Sequence, residues 1–204
     1  MEKERGYVNM AVMGKHAINT TTPDDILLGA GTYHKGLKWN SETSKWDGAF
    51  VGATSGGGKV TLEGEYMDIE LDGALVNVKG LTVKMGGKAS MEVNLAELSG
   101  DNIKMATNFK KAESDVDGYD LYIDKPAIEE GDYVENFGFV GKTANGAKDI
   151  IVIFEQSLCK SAFELETKNK DKAVLKLVLD AYAENAGDLD TLPVKIYYPT
   201  AKAE

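Results

Sequence analysis

Apolar and polar residues alternate at period two through most of residues 51–98, VGATSGGGKVTLEGEYMDIELDGALVNVKGLTVKMGGKASMEVNLAEL. A two-residue period sends successive side chains to opposite faces of an extended strand, so this block reads as strands with one buried face. Met67, Ile69 and Leu71 share one side, and Tyr66, Asp68 and Glu70 the other. Leu81, Val83 and Met85 make a second apolar side; Ala89, Met91, Val93 and Leu95 make a third. Asp72-Gly73 offers a tight turn, and the Gly86-Gly87-Lys88 step between the last two runs reads as a hairpin. The parity of the apolar positions flips at Gly64 and again at Gly80. A bulge or sharp bend at each glycine would return the apolar residues to one face, a device that curved sheets require.

The flanking sequence continues the β pattern. Residues 26–34 (ILLGAGTYH) read as a strand, and residues 38–48 hold Trp39 and Trp46 in a loop or short hairpin. Residues 137–142 and 148–154 flank Thr143-Ala144-Asn145-Gly146, a hairpin signal. The run IIVIF (residues 150–154) is apolar on both faces, which places its strand at the centre of a sheet. Residues 161–166 and 173–182 are expected to pair as another hairpin around residues 168–171. Leu175, Leu177, Leu179 and Ala181 then share one face, although the second segment also contains good helix formers. An edge strand is expected at residues 193–198. Ser99 can cap a short helix through about Asn108, with Ile103 and Ala106 facing inward. The acid-rich residues 110–135 read as long loops around one strand, residues 119–123. Together these predict an all-β protein with one short packed helix, a β-sandwich or partial barrel. Residues 1–23 read as an extended arm and residues 24–204 as one β domain with long loops at 35–58 and 110–135.

Composition narrows the function classes. The net charge is −10, from 33 acidic and 23 basic residues. Such a surface repels phosphate and gains nothing from counterion release, which argues against tight or sequence-reading nucleic-acid binding. One cysteine, Cys159, excludes an intrachain disulfide and points to a reducing compartment. The first fourteen residues, MEKERGYVNMAVMG, carry balanced charge and no apolar run of signal-peptide length.

Chemical motifs fail one by one on spacing. GATSGGGK (residues 52–59) puts Ala53 where a phosphate loop needs its first glycine, and Val60 where it needs a magnesium ligand. Gly29-Ala30-Gly31 begins like a dinucleotide fingerprint but has His34 at the third glycine position. Asp115, Asp117 and Asp120 have calcium-like spacing, yet Asp120 occupies the position where the loop glycine belongs. His16 and His34 lie at no metal-ligand spacing, and neither accompanies a nucleophile. No catalytic, cofactor-binding or metal-ligating residue is expected.

Ordered along the chain are Leu28-Gly29-Ala30-Gly31, the Gly-Ala-Thr-Ser-Gly-Gly loop of residues 52–57, a strand ending Asp72-Gly73-Ala74, the Val78-Lys79-Gly80 step, and Glu97 before a short helix. In this order the motifs resemble the bacteriophage major tail tube proteins, whose fold is related to the tubes of contractile injection and type VI secretion machines. The resemblance spans residues 26–199 and is firm over 28–98. It implies a sheet that completes a closed ring on hexamerisation, rings that stack into a tube, and DNA that passes through without specific binding. It further implies tape measure, tail tip and tail terminator partners, no membrane, and a virion location after assembly in the host bacterial cytoplasm.

On that reading Asp68, Glu70, Glu92 and Glu97 are candidate lumen-lining residues, because their side chains alternate with apolar neighbours. The alternative is that they form an outer solvated face. Trp39 and Trp46 are candidate inter-subunit loop contacts. A secretion or injection tube is the neighbouring alternative, and a monomeric carbohydrate-binding β-sandwich using Trp39, Trp46 and the acidic loop is the alternative from another class.

Overall fold

The computed structural model describes residues 22–144, 149–165, 167, 169–185 and 187–199. The expected arm, residues 1–23, lies outside these except for its last two positions, as do residues 145 and 146 of one expected turn, residue 168 of the other, and residues 148 and 166 at the ends of two expected strands. A single helical turn, α1 (Thr22–Asp25), precedes the strands β1 (Leu27–Asn40), β2 (Lys45–Phe50), β3 (Thr54–Asp68) and β4 (Thr82–Leu95). Helix α2 (Gly100–Thr107) follows, then β5 (Lys110–Ala112), β6 (Leu121–Ile123), β7 (Val134–Thr143), β8 (Asp149–Cys159), β9 (Leu175–Tyr182) and β10 (Val194–Tyr197).

Among the described residues, one antiparallel sheet runs in the order β2-β1-β7-β8-β9-β4-β3, with β10 added on β8, and β5 and β6 pair separately. Strand β8 holds the sheet together. One edge pairs with β7 along most of its length; the other pairs with β10 at residues 151–154 and with β9 at residues 156–159. Its central position is the one its doubly apolar sequence predicts, and residues 151–154 are all buried.

The sheet curls, and its concave face encloses the main core. Met91, Val93 and Leu95 of β4 pack there with Leu175, Leu177 and Leu179 of β9, Phe154 of β8, Phe137 of β7 and Tyr33 of β1. The curl brings β1 into contact with β3, close to the far end of the strand order. At that approach a Cβ on Gly58 would collide with Tyr33 Oη and lie 2.6 Å from the Glu92 carbonyl oxygen. The barrel nevertheless remains open in the single chain.

The β1–β2 hairpin forms a partial second layer. Register slips between Lys35 and Lys38, where Gly36 takes φ +64°. The extra residue reverses the side-chain parity. Tyr33 therefore faces the main core, whereas Leu37 packs with Ile151, Ile153, Val140 and Trp46 in a second cluster. Both faces of β8 are covered by this means.

Several local expectations change. The span 35–58, read as a long loop, is mostly β1, β2 and the start of β3. Gly86-Gly87 is not a hairpin turn; β4 runs straight through it, and the hairpin is β3–β4 with residues 69–81 as its connection. Nor does Gly64 bulge, because the extra residue falls on the partner strand at Met85, between Lys84 opposite Tyr66 and Gly86 opposite Glu65. Gly80 closes a turn, with the Leu81 N–H donating to the Val78 carbonyl at 3.1 Å. Of the expected 161–166 and 173–182 pair, the described residues 161–165 form no strand, and the second segment forms β9, which pairs with β8 and β4 instead. Within residues 110–135, β5 and β6 are three residues each, so the strand expected at 119–123 is shorter than predicted.

Replacing Gly58 by Ala should cost about 1–3 kcal/mol through overpacking against Tyr33 and the Glu92 backbone. Gly131→Ala, which meets open space, should stay within about 0.5 kcal/mol. Urea unfolding of the two variants measures the difference.

Candidate functional site

The β3–β4 ladder extends beyond the core beneath it. Residues 90–95 of β4 pair with β9 on one side and β3 on the other, but residues 82–89 pair with β3 alone. The distal half is thus a two-stranded ribbon. Residues 63–80 are exposed throughout, including Tyr66, Met67, Ile69, Leu71, Val78 and, beyond them in β4, Val83 and Met85. The unbroken alternation of β3 explains why. Val60 faces the core opposite Met91, and the parity change at Gly64 sends Met67 and its partner Val83 to the opposite face. Apolar residues therefore occupy both faces of the ribbon.

The connection at its end is an ordered knob. The Ala74 N–H donates to the Leu71 carbonyl at 3.1 Å, and the Val78–Leu81 turn follows. Asp68 accepts from Asn77 Nδ2 at 3.0 Å and from Thr82 Oγ1 at 2.5 Å, so its carboxylate ties the base of the knob together. Between the turns stand Leu75 and Val76, 98% and 78% exposed.

The four acidic residues expected along a lumen lie at separate heights. Asp68 is spent on the knob, and Glu70 is exposed beside it. Glu92 lies opposite Lys59 and pairs with Lys176 at 3.0 Å, so charge there is locally balanced. Glu97 lies in the link before α2, where its carboxylate approaches Gly52. Nine residues of β3 separate Lys59 from Asp68, roughly 30 Å along the strand. Any acidic lining built from these four residues follows the length of the ladder rather than forming one patch.

Trp39 and Trp46 do come together, with ring centroids 5.5 Å apart, and Trp46 also meets Tyr197 at 4.7 Å. Trp46 is half-buried over the second cluster, while Trp39 is exposed. The rings stand edge to face at interplanar angles of 65° and 64°, so they do not form the common flat platform on which a sugar ring stacks.

Two features escaped sequence reasoning. A groove of about 620 Å³ opens beside α2, lined by Ile103, Phe109, Tyr122, Ile128, Leu158 and Phe163 among others. Helix α2 is placed by Ser99, whose Oγ accepts from the Asn102 N–H at 3.2 Å, and by Asn102, whose Nδ2 donates to the Val51 carbonyl at 3.0 Å. The groove's other wall is held by a clamp. Lys125 Nζ pairs with Asp132 at 2.6 Å and Glu129 at 2.9 Å, with the Lys125 and Asp132 side chains only 7% and 2% exposed. Ile128 lies between these partners in sequence. Only the residue spacing Lys125-x3-Glu129-x2-Asp132 hinted at the clamp, and nothing in the sequence indicated that it would be buried. The second feature is a cleft that collects much of the acidic excess, with Glu129, Glu130, Glu135 and Glu184 around the edge-to-face pair of Tyr133 and Tyr182.

Asp120 of the calcium-like run is occupied by Lys111 at 2.7 Å. Among the described residues no group of three or more His, Cys, Asp or Glu side chains is arranged to hold a metal ion, and no helix is long and apolar enough to cross a membrane. No protein-family model matches this sequence, and no curated protein matches it.

Truncating Trp46 to Ala should cost roughly 2–3 kcal/mol, somewhat below a fully buried tryptophan. The same change at Trp39 should cost less than about 1 kcal/mol; thermal denaturation distinguishes them. The clamp should also be acid-sensitive. Burial opposes the Asp132 charge, but the Glu129 N–H and the Lys125 ammonium outweigh it and hold the carboxyl below its ordinary 3.8. Its stabilisation is therefore complete above about pH 4 and is lost as pH falls through the depressed native value. The amide protection factors of residues 125–133, which divide out the slower chemical exchange at low pH, should fall in that window in the native protein, and Asp132→Asn should already lack that protection at neutral pH.

Proposed function

We propose that this chain is a structural subunit that self-assembles into hexameric rings, which stack into a tail tube through which phage DNA is ejected. The observation that carries this reading is the unsupported β3–β4 ribbon. A two-stranded hairpin is marginal in water by itself, and this one displays apolar side chains on both faces. Contiguous exposed apolar surface of this kind marks a protein contact.

The open sheet supports the same reading. Among the described residues, strands β2 and β3 end the strand order, and β10 pairs on one side only, with β8. Unpaired edges invite pairing with another chain, and closing a ring removes them. The order of glycine motifs over residues 28–98 adds the resemblance to tail tube proteins. With a net charge of −10, the wall of such a tube repels DNA phosphates, so cargo passes without condensing onto it. The tube needs no catalytic residue. Its partners are then further copies of itself, tape measure, tail tip and tail terminator proteins, and its place is the virion tail after assembly in the bacterial cytoplasm.

Negative-stain electron microscopy of the purified protein across a concentration series tests this directly. Rings or tubes with sixfold symmetry are expected, appearing first at the highest concentrations. A protein that stays monomeric at every concentration would overturn the proposal.

A further inference from the structure

The exposed knob and the apolar groove occupy opposite ends of one strand. The knob, residues 69–81, leads into β4 at Thr82. The groove includes Cys159, which pairs with Leu179, which in turn pairs with Met91. Nine residues of β4 separate Met91 from Thr82, roughly 30 Å. The knob of one molecule therefore cannot reach its own groove.

The two surfaces match in chemistry. Leu75 and Val76 present aliphatic side chains to water at the tip, and the groove has room for both among Ile103, Phe109, Ile128 and Phe163. Their charges are opposite. On the knob Glu70 and Asp72 outnumber Lys79, and none of the three makes an ion pair among the described residues. Lys104 and Lys110, next in sequence to the groove residues Ile103 and Phe109, also make none among the described residues. Lys160 on the groove wall is already paired with Asp180 at 2.8 Å and adds no free charge. With Glu164, next to Phe163, set against Lys104 and Lys110, the rim keeps a small positive excess where the knob keeps a small negative one, which favours this pairing over knob against knob.

We infer that the knob of one copy, led by Leu75 and Val76, seats in the α2 groove of a second copy. This contact rests on the self-assembly proposed above and specifies its partner surfaces. It is heterologous, since each copy offers a knob at one end and a groove at the other. Repetition then propagates along one direction, closing into a ring or continuing as a stack according to the rotation between copies. Seating also covers Leu75 and Val76, the most exposed apolar side chains of the knob.

Cysteine pairing tests the contact. In a Cys159→Ala background, Val76→Cys and Ile128→Cys are prepared separately, mixed and mildly oxidised. A disulfide in the mixture, absent from each variant alone, is expected; a Val76→Cys homodimer as the main product would overturn the inference. In parallel, Leu75→Asp with Val76→Asp should raise the concentration for half-assembly roughly a hundredfold, because seating would bury unpaired charge. Val116→Asp, at another exposed position, should leave it unchanged, and equal loss in both variants would overturn the inference. Rings or tubes from the wild-type chain without the mixed disulfide would overturn the seating and leave the tube proposal standing. The mixed disulfide with only pairs or open chains would support the seating and sink the tube. A wild-type chain that stays monomeric with no mixed disulfide would overturn both.

Discussion

The β3–β4 ladder is longer than the core it covers, and the rest of the molecule follows from that mismatch. Over residues 90–95, β4 is flanked on both sides, and its alternate residues Met91, Val93 and Leu95 are fully buried. Over residues 82–88 it has one neighbour and little beneath it, and Ala89 is where the core begins. The same two strands therefore supply the wall of a core at one end and an exposed apolar surface at the other. Burial of apolar area is the main favourable term in both folding and association. The proximal half uses it in folding, and the distal half leaves its apolar residues in water.

Curvature is the second constraint, and it is set by close approaches rather than by bulky packing. Gly58 lets β3 come against Tyr33, and Gly138 lets Leu37 lie over β7. The slip at Gly36 moves Leu37 to the other face of the sheet. Glycine acts here through missing volume at two sites and through positive φ at one. These contacts bend the sheet around the Leu177, Leu179 and Phe154 core without closing it, leaving edges that a neighbouring chain can extend.

Polar interactions place the appended parts. Asn102 ties α2 to the link between β2 and β3, Asp68 gathers the knob, and the Lys125–Asp132 pair anchors the wall of the groove. A buried ion pair seldom adds much net stability over an apolar replacement. Its geometric effect is clearer, since it fixes a segment that has only short strands to hold it.

Much of the architecture was legible in the sequence because strand periodicity is local. The alternation of β9, the doubly apolar β8 and the capped α2 can each be read from a few consecutive residues. The parity changes at Gly64 and Gly80 were legible as changes, but not in kind. Whether apolar positions switch face, or a bulge restores them, depends on which strand carries the extra residue, and that is a property of the pair. The Gly86-Gly87 step looked like a turn for the same reason, since a strand cannot show from its own sequence that a partner runs alongside. The groove beside α2 joins residues from four separate stretches of chain, and the Asp132 clamp owes its burial to its surroundings. The sequence by itself determined strand content, the buried faces of the central strands and the acidic balance of the chain. Only the tertiary structure decided where the core stops, which apolar residues remain in water and where a groove opens beside α2, because each depends on contacts between residues distant in sequence.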